Sequence, residues 1–164
     1  LMGGIPLPGA ATYVRRDLLR TRAWDSGVSA AGPLANFLIF LLLAFPLHPQ
    51  VGWIDYSLPV PEWTNPQIFL AALAFLQLFS TLLNLMPIPG LDGFGILRPW
   101  LKEDLREKLE QPQLAWFFLI GFFLLLSNDT VRDFFATIMQ QVMGALDLNY
   151  WNTAQAVYYC LYQA

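Results

Sequence analysis

Val28-Ser-Ala-Ala-Gly-Pro-Leu-Ala-Asn-Phe-Leu-Ile-Phe-Leu-Leu-Leu-Ala-Phe-Pro-Leu47 is the densest part of 29 consecutive uncharged residues between Asp25 and Asp55. A helix needs about 20 apolar residues to cross the hydrocarbon core of a bilayer, and this stretch supplies them. A second run of 29 uncharged residues lies between Glu62 and Asp92, centred on Gln67 to Met86. A third, Gln111 to Asn128, has 18 and contains Trp116-Phe-Phe-Leu-Ile-Gly-Phe-Phe-Leu-Leu-Leu126. That run is marginal in length, with room for little tilt. The expected fold is all-α: a polytopic membrane protein with about three transmembrane helices.

Composition agrees with that class. Of 164 residues, 56% are apolar and only 13% charged, against about 25% charged in soluble domains. The formal charge of −3 rests on nine basic and twelve acidic residues, too weak and scattered a basic content for nucleic-acid binding. Cys160 is the only cysteine, which excludes an internal disulfide and any CxxC site. His48 is the only histidine, so the chain alone cannot supply a two-histidine metal site.

Orientation follows from the basic residues. Arg15, Arg16, Arg20 and Arg22 precede the first span, and Arg98, Lys102, Arg106 and Lys108 lie between the second and third. The linker from His48 to Pro66 has no Lys or Arg, and only Arg132 follows the third span. Three crossings therefore put eight of the nine basic residues on one side, expected to be the cytoplasmic one. Trp53, Tyr56 and Trp63 in the basic-free linker read as an aromatic belt at the opposite interface.

Beyond Asn128, Val131, Phe134, Phe135, Ile138, Met139, Val142, Met143 and Leu146 recur at helical spacing, with Arg132, Asp133, Gln140 and Gln141 opposite. An amphipathic C-terminal helix, lying on the membrane or on the spans, is expected. We divide the chain into a membrane domain, 1–128, and an interfacial extension, 129–164.

Polar residues inside apolar spans are costly, so they mark the places where chemistry is sought. Ala31-Gly32-Pro33-Leu34-Ala35-Asn36 is one cluster. Its small residues allow close helix packing, Pro33 suits a first helical turn, and Asn36 is an interhelical hydrogen-bonding candidate. Asn84-Leu-Met-Pro-Ile-Pro-Gly-Leu-Asp-Gly93 is the other. Pro87 and Pro89 lack an N–H, and Gly90 and Gly93 tolerate unusual backbone angles, so the helix should unwind here. Asp92 in that break reads either as an N-cap for a helix starting at Gly93, or as a metal ligand or proton-relay carboxylate.

Taken together, Gly-Pro-x-x-Asn heading one span and Asn-x-x-Pro-x-x-x-Leu-Asp-Gly closing the next resemble the site-2 protease family of intramembrane zinc metalloproteases. The stretch Gly3-Gly-Ile-Pro-Leu-Pro-Gly-Ala-Ala-Thr-Tyr13, the arginines after it and Trp24 extend the likeness over about residues 1–100. The resemblance implies that Asp92 is a zinc ligand and that Asn36 supports catalysis. Gly32, Pro33, Asn84, Pro87 and Gly93 belong to the same motifs. It implies two further zinc ligands from an His-Glu-x-x-His helix whose Glu is the general base. That motif does not occur in this sequence, so the chain by itself is expected to be inactive, with the motif upstream of Leu1. His48, flanked by Pro46 and Pro49 on the far side of the first span, is not a substitute. The implied substrate is a transmembrane protein, and the implied setting is the bilayer of a bacterial inner membrane or an organellar equivalent. Two other readings remain: a non-proteolytic membrane scaffold, and a transporter that uses Asp92 as an ion site.

Overall fold

The computed structural model describes residues 21–162, and among these it contains helices and no strand. The Gly3–Tyr13 stretch and Arg15, Arg16 and Arg20 lie outside the described residues.

Helix α1, Arg22–Leu47, starts where the Thr21 hydroxyl accepts a hydrogen bond from the Trp24 amide at 3.3 Å, satisfying one of the free donors of a helix start. It stops at His48, which precedes Pro49 and is therefore disfavoured as helix. Two short 3-10 turns, Pro49–Val51 and Val60–Glu62, carry the linker to α2, Asn65–Asn84. The Thr64 amide donates to Gln67 Oε1 at 2.8 Å at that start. Five further helices follow: α3 Asp92–Leu97, α4 Glu103–Leu109, α5 Pro112–Leu126, α6 Asp129–Gly144 and α7 Tyr150–Tyr162, with a 3-10 turn, Arg98–Trp100, after α3.

Helix α2 lies at the centre, packed against α1 and α7. Ala71, Ala72 and Ala74 are buried on it, and small side chains let neighbouring helices come close. Phe40 and Leu47 of α1, Leu78 of α2, and Met139 and Met143 of α6 are the largest buried side chains of one continuous core. The amphipathic stretch after Asn128 is thus helical, and Phe135, Met139 and Met143 turn its apolar face inward. Ala156 of α7 joins the same core, and α7 packs on α2.

Helices α1 and α2 are long and apolar enough to cross a membrane. Leu34, Leu38, Ile39, Leu42 and Phe45 of α1 all stand exposed. Helix α5 has 15 residues, or about 22 Å at 1.5 Å per residue, less than the roughly 17 residues a crossing requires.

The linker aromatics are divided. Trp53 is exposed, but Trp63 is 6% exposed and belongs to the core, its indole edge-on to Tyr56 at 5.5 Å. Trp63 therefore closes the bundle instead of standing in a belt. Tyr56 donates to the Leu47 carbonyl at 2.6 Å, capping one of the carbonyls left free where α1 ends; burial raises its pKa to about 12.

Candidate active site

Helix α2 ends at Asn84, and the chain leaves the helix until Asp92. With no N–H at Pro87 or Pro89, the break is held by tight turns: Ile88 N to Met86 O at 2.8 Å and Leu91 N to Ile88 O at 2.9 Å. Gly90 takes φ +101°, a conformation that L side chains resist. The chain then doubles back, and a β-carbon on Gly93 would collide with the Leu85 and Met86 carbonyls. Only glycine permits that approach.

Leu91, not Asp92, is the N-cap of α3, and Asp92 is the first helical residue. Asp92 thus opens α3 instead of preceding it. Its neighbour is Gly32: a β-carbon built on Gly32 would lie 2.5 Å from Asp92 Oδ2 and 3.3 Å from its Cγ. The two sequence clusters, far apart along the chain, thus meet face to face, with the missing side chain of one making room for the carboxylate of the other.

Pro33 is not in a first turn. The Thr21 cap starts α1 earlier, so Pro33 is buried inside the helix, where it removes the i+4 donor for the Ser29 carbonyl. One face of α1 then carries Asp25, Ser26, Ser29, Gly32 and Asn36 at three- and four-residue spacing, and α3 with its following turn docks on most of it. Ser29 Oγ lies against Gly95, where a β-carbon would come within 2.6 Å. Ser26 Oγ donates to the Ile96 carbonyl at 2.7 Å and accepts from Trp100 Nε1 at 3.0 Å. Arg98 pairs with Glu110 of the α4 end and lies 3.7 Å from Asp25.

Asn36 lies one turn beyond Gly32 and faces α2. Its amide donates to Ser80 Oγ at 3.3 Å, and its Oδ1 accepts from Gln77 Nε2 at 3.1 Å. Asn84 Nδ2 reaches the same Ser80 hydroxyl at 3.4 Å. Asn36 and Asn84 are therefore joined through a residue not singled out in advance. Pro87 is exposed and shapes the break without touching this network. Ser26, Ser29, Gln77 and Ser80 went unremarked as site residues, and Arg98 was read only for its charge; the available signal was the same as for Asn36, polarity inside or beside an apolar run.

A cleft of about 380 Å³ opens beside Asp92, lined by Ser29, Gly90, Leu91, Phe94, Gly95, Arg98 and Glu110 as well. Its donor set tests whether zinc fits. Asp92 supplies one hard oxygen, but no group of three or more His, Cys, Asp or Glu gathers among the described residues. Among the described residues, then, Asp92 offers a single candidate oxygen, and the cleft does not make a zinc site by itself. His48 lies beyond the far end of α1 from Gly32, about 24 Å away by helical rise. There its Nδ1 accepts from the Gln50 amide at 3.2 Å and its Nε2 lies 3.7 Å from Asp147. It is a linker residue.

The likeness to known proteins agrees with this geometry. The family model Peptidase family M50 matches residues 58–128, which include the α2 end, the break and Asp92. A protein of Mycolicibacterium smegmatis provisionally named zinc metalloprotease Rip2 is 38% identical over 137 residues, covering 84% of this chain and 49% of that protein. The Mycobacterium tuberculosis protein of the same name is 40% identical over 124 residues, 75% of this chain and 44% of that protein. The chain thus spans about half the length of the curated relatives it matches. No solved structure matches it significantly. With both motifs joined at the Asp92–Gly32 contact and these relatives alongside, the chain belongs to peptidase family M50, the site-2 proteases.

Proposed function

We propose that this chain is part of an intramembrane zinc metalloprotease that hydrolyses peptide bonds of transmembrane substrates, and that Asp92 is one of its zinc ligands. The observation that carries this reading is the packing of Gly32 on the Asp92 carboxylate. It brings a glycine of one membrane-length helix onto an acid at the broken end of the next. The other ligands and the general base would come from outside residues 1–164, since the only histidine here is remote. When bound, zinc supplies a Lewis acid and an acidified water.

This chain's own residues supply position. Gly32 fixes where the carboxylate sits, and Gly93 lets the break fold back so that α3 carries Asp92 onto α1. Asn36 and Asn84, tied through Ser80, brace α1 and α2 beside the site, and Asn36 supports contacts to substrate. Pro33 and Pro87 shape the backbone on either side. The substrate helix must unwind locally, because helical carbonyls are already hydrogen-bonded.

We extend the proposal to topology. Helix α5 with its uncharged flanks, Gln111 and Ser127–Asn128, makes a third crossing. Residues 1–128 then form the membrane domain of a polytopic protein in a bacterial inner membrane or organellar equivalent, and 129–164 an extension packed on it. Arg22, Lys102 and Arg106 line one hollow with Asp25, which supports the return of the chain after α2 to the side where α1 begins.

The test is cleavage of a transmembrane peptide by the intact protein. Wild type should cleave it and lose activity to a chelator, and Asp92→Asn should be inactive while folding normally. Unchanged cleavage by Asp92→Asn would remove the ligand assignment.

A further inference from the structure

Ser29 is 6% exposed, and its hydroxyl has no hydrogen-bond partner among the described residues. Leaving a buried hydroxyl unpaired is costly, and such groups are rare enough in native structures to need a reason. Ser29 lines the cleft that also holds Asp92. That cleft, at about 380 Å³, has room for far more than a water, whose share of liquid volume is about 30 Å³.

Its chemistry narrows the occupant. Arg98, the one basic residue among the residues lining the cleft, is already paired with Glu110 and near Asp25, so no spare cation awaits a phosphate or carboxylate. What remains beside Asp92 is a neutral hydroxyl, between walls that include Gly90 and Gly95. A β-carbon on Gly90 would meet nothing within 4 Å, so that wall admits the close approach of another backbone. A neutral, hydrogen-bonding, narrow ligand is a stretch of polypeptide backbone.

We propose that the cleft between α1 and α3 is a subsite for the backbone of an unwound substrate segment, with Ser29 Oγ as its hydrogen-bonding group. The inference rests on the proteolytic reading and adds to it a residue outside both family motifs. Ser29 here positions substrate.

The experiment measures binding without turnover. A fluorescently labelled leucine-rich peptide of about 20 residues, broken at its centre by Asn-Pro-Gly, is titrated onto the intact protein in detergent with excess chelator. Wild type should bind, and Ser29→Ala should bind about tenfold more weakly, the weight of one hydrogen bond. The melting temperature of Ser29→Ala should be equal or higher, because an unpaired buried hydroxyl has gone. Ser29→Cys, which restores a weak donor, should recover part of the affinity. Wild-type affinity in Ser29→Ala overturns the subsite and leaves the protease reading intact. A lowered melting temperature with unchanged affinity overturns it too, by showing that the hydroxyl serves the fold. A wild-type protein that neither binds nor cleaves the peptide overturns both.

Discussion

Gly32 and Asp92 show how a residue with no side chain makes room for one that carries charge. A methyl at position 32 meets the end of a short side chain, with a would-be contact of 2.5 Å to Oδ2, so the carboxylate rather than the backbone gives way. Gly32→Ala is therefore expected to fold at least as well as wild type, given alanine's helix propensity advantage of up to about 1 kcal/mol. It should hold zinc about 10–100-fold more weakly, the usual effect of disturbing a ligand's support. Metal titration of the intact protein checks this; unaltered affinity would mean that the contact does not place Asp92. Asn36 is braced differently, by two hydrogen bonds to α2. Such bonds between membrane helices average about 0.6 kcal/mol each. Asn36→Ala should thus cost roughly 1 kcal/mol in thermal unfolding and slow cleavage while zinc stays bound. Both motifs were legible residue by residue, because glycine, proline and ionisable residues are conspicuous in an apolar run. What could not be read was the Ser29–Gly95 and Ser80–Asn84 pairing, since serine is common in helices and nothing local tells which face it takes.

At the scale of elements, uncharged length located α2 to within two residues and the end of α1, but missed the α1 start at Arg22 by six, and 3.6-residue periodicity located α6. Pro33 misleads because a proline in an apolar run reads as a helix start by default. The cap that starts α1 is Thr21, with its 3.3 Å bond from the Trp24 amide, several turns upstream of that proline. Helix α3 has only six residues and its position depends on distant partners on α1, which no local pattern encodes. The α1–linker junction gives a pH prediction. Burial raises the Tyr56 pKa from 10.0 to about 12, so the folded state favours the neutral phenol. Its contribution is fully present below pH 10 and is lost as pH rises towards 12. Burial also raises the pKa of Tyr150, so phenolate absorbance should show a late step to which both tyrosines contribute, and Tyr56→Phe should remove the part of it nearest pH 12. A Tyr56 that ionises at its ordinary pKa would contradict the packing of the linker on α1.

The whole molecule has two unlike ends. At one, Arg22, Arg98, Lys102 and Arg106 gather near Asp25 and the α3 turn; at the other, His48 meets Asp147 and Trp63 closes the core. The alternation of basic and basic-free segments foretells that polarity, because two membrane-length helices joined by a linker return the chain to its starting side. Trp63 departs from the expected aromatic belt, since its burial depends on tertiary packing of the linker. The Asp92 cleft lies towards the basic end, held by α1 and α3, and the proposed function makes its carboxylate one zinc ligand among several. Zinc content of the purified intact protein is the most direct test. About one zinc per molecule is expected in wild type and a large loss in Asp92→Asn, with an unchanged melting profile of the metal-free forms. Full zinc retention in Asp92→Asn, or no zinc in wild type supplied with it, would contradict the metal-ligand role of Asp92.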